Sequence, residues 1–204
     1  MSINKEKPIL FSTDMVRAIL DGNKTMTRRI IKPQPSMTSG EFDSWIDKTG
    51  TIFCTSTIRM PIYCPYGRVG NILWVRETFR VPNPYGKPDY EFKADWDSYN
   101  TGINYKWKPS IFMPKEACRL RLKITNVKVE RLHNITDEDA IAEGIEKTEF
   151  GYKNYNNTYP VKEFMGGVTE ALQSYKSLWI YINGKSNWDA NPWVWVIEFE
   201  IINK

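Results

Sequence analysis

The chain has 204 residues, 41% of them hydrophobic and 25% charged, which is the composition of a globular protein of about one domain. The formal net charge of +4 permits a polyanionic partner but does not require one. No stretch approaches about 18 consecutive apolar residues, and the polar N-terminus lacks the apolar segment of a signal peptide. We therefore expect a cytoplasmic protein with no membrane contact.

The cysteine and histidine content argues against a disulfide framework and against a metal site. Cys54, Cys64 and Cys118 lie far apart in the chain and form no C-x-x-C pair. The single histidine, His133, cannot complete a zinc site with such scattered thiols. The sequence thus predicts no metal and no cofactor.

The first predicted elements are a strand over residues 8–11, a helix capped by Ser12 or Thr13, and a strand over residues 25–32. Gly22 follows the helix at the position where a left-handed residue is expected. The predicted inner face of the helix is Met15, Val16, Ile19 and Leu20.

Three segments are interpreted as insertions into a single domain that spans residues 1–204. They cover about 33–64, 81–116 and 148–168. Within the second, residues 81–110 combine four prolines with many aromatic side chains, so it is predicted to be an ordered rim. These aromatic residues are Tyr85, Tyr90, Phe92, Trp96, Tyr99, Tyr105 and Trp107.

Residues 72–79 and 117–132 are the next predicted strands, and the second has the clearest alternation of apolar and basic residues. Its phase changes by one residue after Thr125-Asn126, which predicts a bend or bulge of the kind that a small barrel requires. The basic row Arg119, Arg121 and Lys123 is interpreted as a solvated face, with phosphate contact as the alternative.

A short acidic helix is predicted to begin at Thr136, with Asp139 reaching back to it, and to end at Gly144. Glu143 then lies near the C-terminal end, where the helix dipole disfavours a carboxylate. A helix over 169–182, turns over 183–185 and 187–192, and a closing strand over 193–201 complete the chain. The helix is predicted to carry one inner face formed by Leu172, Tyr175, Leu178, Trp179 and Ile182. This order predicts an α+β, mostly β fold, a small barrel with peripheral helices, rather than a doubly wound sheet.

The stretch from Asp21 to Arg29 contains many polar side chains and connects the first predicted helix to the strand that follows it. It carries one lysine, two threonines and two arginines. We interpret it as one wall of a pocket of nucleobase size.

Four blocks of sequence resemble the ASCH domain of the PUA-like superfamily. They are Gly22-x-Lys24-Thr25-x-Thr27-x-Arg29, then Gly67-x-x-Gly70-x-x-Leu73-x-Val75, the strand over 119–132 with Asn134-Ile135-Thr136, and Val196-Ile197-Glu198-Phe199. The phrases Trp74-Val75-Arg76-Glu77 and Asn191-Pro192-Trp193-Val194-Trp195 are similar to those of larger ASCH proteins from phages and prophages. The resemblance implies a PUA-like β-barrel that binds RNA or a modified base.

The superfamily motif G-x-K-x-x-E-x-R has a glutamate where this chain has Thr27. That departure is shared with the small amidohydrolases that act on N(4)-acetylcytidine, which implies Lys24, Thr27 and Glu143 as catalytic residues. A threonine hydroxyl needs a base to become nucleophilic, and a lysine serves as that base only when its pKa is lowered.

The same residues also suit a pocket that binds without turnover, because lysine, arginine and threonine are ordinary contacts of phosphates and bases. The binding interpretation is preferred, with the amidohydrolase second and a phage protein that binds a protein partner third. Its ligand is expected to be a modified nucleoside, a nucleotide or single-stranded RNA. The predicted substrate-binding residues are Gly22, Thr25, Arg28, Arg29 and Trp74.

Overall fold

The computed structural model describes residues 6–34, 44–46, 51–54, 62–82, 89–96, 105–149, 151–155 and 170–203. The strands are β1 Glu6–Leu10, β2 Met26–Ile30, β3 Ser44–Ile46, β4 Thr51–Cys54, β5 Ile62–Tyr63, β6 Ile72–Arg76, β7 Phe79–Arg80, β8 Glu91–Phe92, β9 Arg121–Arg131, β10 Lys147–Thr148, β11 Gly151–Tyr152 and β12 Trp193–Asn203. The α-helices are α1 Thr13–Leu20, α2 Asp137–Ala142, α3 Ala171–Asn183 and α4 Lys185–Asp189.

The main sheet has five strands in the order β1-β6-β9-β12-β2. Strand β1 runs parallel to β6, and every other neighbouring pair is antiparallel. The predicted α+β, mostly β class is confirmed. In the described ranges no ladder joins the outer strands β1 and β2, so the strand pairing does not show the closed barrel that was predicted. The first insertion contributes a separate antiparallel sheet, β3-β4-β5.

Strand β9 contains a bulge at Thr125. Its partner strand β12 pairs Glu198 with Asn126 but the next residue, Phe199, with Ile124, which leaves Thr125 without an opposite residue. The bulge predicted from the change of phase is thus confirmed at that position. A bulge increases the local twist and bends the sheet, which lets both faces be covered by helices.

Both faces of β12 are buried, which explains its nearly continuous apolar sequence. Trp195 and Ile197 pack into one core together with α1 and residues of β1, β6 and β9. Val194 and Val196 pack into a second core, formed with α2, α3 and α4. Within the described ranges, no helix is both long enough and apolar enough to cross a membrane.

The segment predicted as turns after α3 contains the short helix α4, so that part of the prediction was wrong. Trp188 of α4 is buried, and its ring lies 4.7 Å from the ring of His133. The asparagine-rich sequence resembled a loop, but burial of this one indole stabilises a helical turn there.

Arginines attach the described part of the second insertion to the main sheet. Arg17 of α1 donates to the carbonyls of Ala94 and Trp96 at 2.8 and 2.6 Å. Arg119 pairs with Asp95 of the insertion at 2.6 Å and donates to both carboxylate oxygens of the buried Glu77 at 2.9 Å. Arg119 therefore belongs to a half-buried ion-pair cluster rather than to the solvated basic face that was predicted.

A second anchor is formed by Arg80, whose guanidinium lies 3.6 Å from the ring centre of Tyr105 and 4.7 Å from that of Trp96. Trp107 also faces it, at 5.5 Å, and the carboxylate of Glu91 pairs with it at 2.5 Å. Part of the predicted ordered rim is thus built around one buried cation. Tyr85 and Tyr99 lie outside the described residues.

Candidate functional site

The turn after α1 directs the chain from the helix into strand β2. Ser12 caps α1 by accepting a hydrogen bond from the backbone N–H of Met15. Gly22 adopts φ +79°, the left-handed conformation predicted for it. The N–H groups of Asn23 and Lys24 then donate to the carbonyl of Ala18 at 2.8 and 3.0 Å. This turn places Lys24 against the end of α2.

Lys24 and Glu143 meet through both backbone and side chain. The two residues form an isolated antiparallel β-bridge, and the carboxylate of Glu143 lies 2.9 Å from the Lys24 ammonium. The ammonium also donates to the carbonyl of Glu143 at 2.6 Å and to that of Met26 at 2.9 Å. Only 1% of Lys24 and 4% of Glu143 is exposed. The carboxylate at the helix end is thus compensated by a buried cation, which the sequence alone did not show.

Gly144 is needed for this close contact. It adopts φ +80°, and a Cβ atom there would lie 2.7 Å from the Cβ of Lys24 and 2.9 Å from that of Ala18. Any side chain at this position would therefore push the lysine away from Glu143.

Arg28 lies beside this pair and holds three carboxylates. Its Nη2 donates to Glu130 at 2.6 Å and to Asp139 at 2.5 Å, while Nη1 lies 3.5 Å from Glu143. The side chain of Asp139 was expected to reach back to the cap of its own helix, but it pairs with Arg28 instead. The cap itself is as predicted, because Thr136 accepts from the backbone N–H of Asp139 at 3.2 Å.

Burial lowers the pKa of Lys24, and the neighbouring carboxylate of Glu143 opposes that shift. Burial would also lower the pKa of Arg28, but the charges of Glu143 and Glu130 outweigh it and raise that pKa. The hydrogen bonds decide the state of Lys24, since three acceptors around one nitrogen match an ammonium rather than a neutral amine. We therefore regard Lys24 as a charged residue that holds Glu143 in place.

A cavity of about 280 Å³ opens beside β2. Thr27, Arg28, Arg29 and Ile30 form its strand side, and Tyr175, Leu178, Trp179 and Ile182 form its helix side. Glu143, Tyr66 and Lys32 also line it. The volume lies near the lower end of the range of about 300–1,000 Å³ for small-molecule sites. It suits a ligand smaller than a typical cofactor.

Several polar groups in the cavity wall have no hydrogen-bond partner among the described residues. Thr27 and Tyr175 are only 2% and 3% exposed, yet neither hydroxyl forms a hydrogen bond with any described residue. The Nε of Arg29 and the indole nitrogen of Trp179 are buried without a hydrogen-bond partner. Buried polar groups are normally paired, so unpaired groups concentrated at one cavity are expected where a ligand binds. Burial and the charge of Glu143 raise the pKa of Tyr175 well above its ordinary value, so its hydroxyl keeps its proton.

The structure brings some of the predicted site residues together and separates others. Glu143, Thr27, Arg28 and Arg29 line the cavity, whereas Lys24 does not and supports Glu143 from within the protein. No hydrogen bond joins Thr27 to Lys24 or Glu143 in the part of the chain that the structure describes.

The remaining predicted substrate contacts lie outside the cavity. Gly22 lies in an exposed turn, and Thr25 uses its backbone to bond Ala142 and Phe199 at 2.9 Å. Trp74 lies on β6, with two strands between it and β2. Its ring faces the guanidinium of Arg76 at 5.4 Å. The geometry gives no support to a binding role for these three residues.

Tyr175 and Trp179 line the cavity, although the only role predicted for them was on the inner face of the helix over 169–182. They lie four residues apart on α3, so both side chains project from one face. Their chemistry could have indicated a site, because the tyrosine hydroxyl and the tryptophan N–H each need a hydrogen-bond partner when the ring is buried in an apolar helix face.

Among the described residues, no group of three or more His, Cys, Asp and Glu is arranged to hold a metal ion. The three carboxylates that converge near the cavity surround the guanidinium of Arg28 instead. Comparisons with protein-family models, with characterised proteins and with solved structures found no match to this chain.

Proposed function

We propose that this chain is an ASCH-type domain that binds a nucleobase, presented as a nucleoside, a nucleotide or an unpaired base of single-stranded RNA. The observation that carries the proposal is the cavity of about 280 Å³ that Thr27, Arg29 and Glu143 line together with Tyr175 and Trp179. Unstacked bases are recognised by aromatic surfaces together with hydrogen bonds to their edges, and this cavity offers both.

The proposal includes a PUA-like, barrel-like curvature of the main sheet. Arg29 on β2 donates to the carbonyl of Leu10 at the end of β1, at 2.9 Å. Its guanidinium also lies 5.3 Å from the ring centre of Phe11. The two outer strands of the sheet therefore approach each other across a side chain, as a nearly closed barrel requires.

The test is a calorimetric titration of the purified protein with nucleosides and with short single-stranded RNA at two salt concentrations. We expect saturable binding that Thr27→Val weakens about threefold to tenfold, because valine keeps the shape of threonine and removes one hydrogen bond. Lys185→Ala is the matched control, since Lys185 is exposed and does not line the cavity. If no nucleoside and no RNA binds, the proposal is wrong and a protein partner becomes the better candidate.

One observation favours an amidohydrolase as the second candidate. Lys24 and Glu143 form a buried ion pair. Thr27, the remaining catalytic residue that the resemblance implies, lines the same cavity as Glu143. The Thr27 hydroxyl would add to the acyl carbonyl of an amide while Glu143 accepts its proton. The C–N bond would then break and the amine would leave with that proton. Water would hydrolyse the resulting threonine ester and release the acid.

Lys24 fits a positioning role better than a catalytic one in this reaction, because its ammonium is already fully hydrogen-bonded. Chromatography of N(4)-acetylcytidine incubated with the protein would show cytidine and acetate in equal amounts. Thr27→Val should abolish their release. Absence of product from the unmodified protein would exclude this activity while leaving the binding proposal intact.

A further inference from the structure

The cavity has chemically different ends along strand β2. Glu143 and Thr27 lie at one end, and Lys32 lies five residues further along, about 16 Å away in extended chain. Lys32 is exposed, whereas Thr27 and Glu143 are buried. An elongated ligand therefore meets one enclosed end and one end that is open and positively charged.

Three carboxylates gather at the enclosed end, those of Glu130, Asp139 and Glu143, and they pair with Lys24 and Arg28. Lys128 approaches Glu130 at 3.7 Å from the surface. Arg29, the next cation of the cavity wall, donates to the carbonyl of Leu10. An anionic group on a ligand would therefore meet three carboxylates and would have to compete with protein acceptors for these cations.

Glu143 and Tyr175 retain hydrogen-bonding capacity at the enclosed end. One carboxylate oxygen of Glu143 is held by Lys24 at 2.9 Å, while the other has only the long 3.5 Å contact with Arg28. The Tyr175 hydroxyl has no partner within the described part of the chain. A carboxylate can only accept hydrogen bonds, so the ligand edge that faces Glu143 has to donate them.

We infer that Glu143 and Tyr175 recognise an uncharged base through a hydrogen-bond-donating edge, such as an exocyclic amine, and that any phosphate of the ligand lies at the Lys32 end. This inference rests on the proposed function and specifies its substrate class. Tyr175 is assigned here as a specificity-determining residue. Its hydroxyl, which can accept or donate, supplies the second hydrogen bond to the base.

The experiment compares nucleosides that differ only in the amine. Cytidine is paired with pyrimidin-2-one riboside, and adenosine with purine riboside, since each analogue replaces the amine by hydrogen and adds no bulk. Binding is measured by calorimetry on the full chain. For at least one pair we expect the amine-free analogue to bind about threefold to tenfold more weakly, the effect of one hydrogen bond.

The matched variants are Tyr175→Phe and Tyr181→Phe, which lie on the same helix. Tyr175→Phe should reduce the affinity for the amine-bearing nucleoside by about threefold to tenfold, while its thermal unfolding stays unchanged because the hydroxyl has no protein partner. Tyr181 is 71% exposed, so Tyr181→Phe should bind as the unmodified protein does.

Equal binding of amine-bearing and amine-free nucleosides in both pairs, or full affinity in Tyr175→Phe, overturns this inference alone. A lack of binding by every nucleoside overturns the proposed function and this inference with it. Tighter binding of inorganic phosphate than of nucleosides, strengthened by Glu143→Gln because a like charge is removed, would place an anion at the enclosed end and also contradict the inference.

Discussion

The ammonium of Lys24 lies 2.9 Å from the carboxylate of Glu143, a residue 119 positions away in the chain. The pair is sealed from solvent and joins the entry of strand β2 to the end of helix α2. The pair therefore fixes one wall of the cavity. Loss of the pair should lower the free energy of unfolding more than it lowers the affinity for a ligand.

Lys24→Met should lower the free energy of unfolding by about 3–5 kcal/mol, because it leaves the buried Glu143 without its closest cation. Urea unfolding followed by circular dichroism measures this. Lys185→Ala removes the exposed pair with Asp189 and should cause no measurable change. A loss in Lys24→Met as small as that of the control would show that the buried pair does not stabilise the fold.

Gly144→Ala and Gly22→Ala separate backbone strain from steric conflict. Both glycines have φ near +80°, but only Gly144 has atoms close to an added Cβ. Gly22→Ala should cost about 1–2 kcal/mol of stability from the left-handed backbone. Gly144→Ala should cost a further 1–3 kcal/mol or so from overpacking against Lys24. Equal losses in the two variants, measured by urea unfolding, would argue against a tight contact at Gly144.

Cys64 should be unreactive in the folded protein. Burial raises the pKa of its thiol to about 11, and only the thiolate attacks an alkylating reagent. In a Cys54→Ser, Cys118→Ser variant, Cys64 should resist alkylation at pH 8 and react at once in denaturant. Rapid alkylation without denaturant would contradict its burial.

The same shift predicts a dependence of stability on pH. Between pH 9 and 11 the folded thiol keeps a proton that the unfolded thiol releases. The contribution of Cys64 to the free energy of unfolding is therefore fully present below pH 9. It should be lost as the pH rises from about 9 to about 11. Urea unfolding of the unmodified protein and of Cys64→Ala across this interval checks it, since Cys64→Ala should lack this part of the decline.

Arg80→Met should loosen the aromatic part of the second insertion, because Trp96, Tyr105 and Trp107 all face this guanidinium. A lysine-specific protease should then cut faster at Lys106 and Lys108. Arg121→Met provides the comparison, since Arg121 makes only a 3.7 Å contact with Glu6. Similar cleavage in both variants would mean that Arg80 does not hold this segment.

Local patterns in the sequence were sufficient for the individual elements. The apolar face of α1, the left-handed Gly22, the Thr136 cap and the bulge at Thr125 each depend on a few neighbouring residues, and the structure confirms all of them. Closure of the sheet depends on whether the outer strands β1 and β2 pair, and no local sequence pattern encodes that. In the described residues they form no ladder, so the predicted closed barrel is not seen in the strand pairing.

The site shows the same division between local and distant information. Glu143 stood out because a carboxylate is disfavoured at a helix C-terminus, but only the fold shows that Lys24 compensates it. Tyr175 and Trp179 were hidden in an apolar helix face, since burial alone does not reveal whether an aromatic polar group has found a partner. The role expected for Trp74 rested on residue type, and its position on β6 gives that role no support.

The strand order has a consequence for synthesis on the ribosome. In the described part of the chain, strand β2 pairs with β12 alone, so the wall that carries Thr27 cannot join the sheet until Trp193–Asn203 have been translated. At about 5–20 residues per second, roughly 6–24 s separate the synthesis of Lys24 from that of Glu143. During this interval the nascent chain carries a lysine without its carboxylate, and the edge of β2 stays unpaired until β12 has been made.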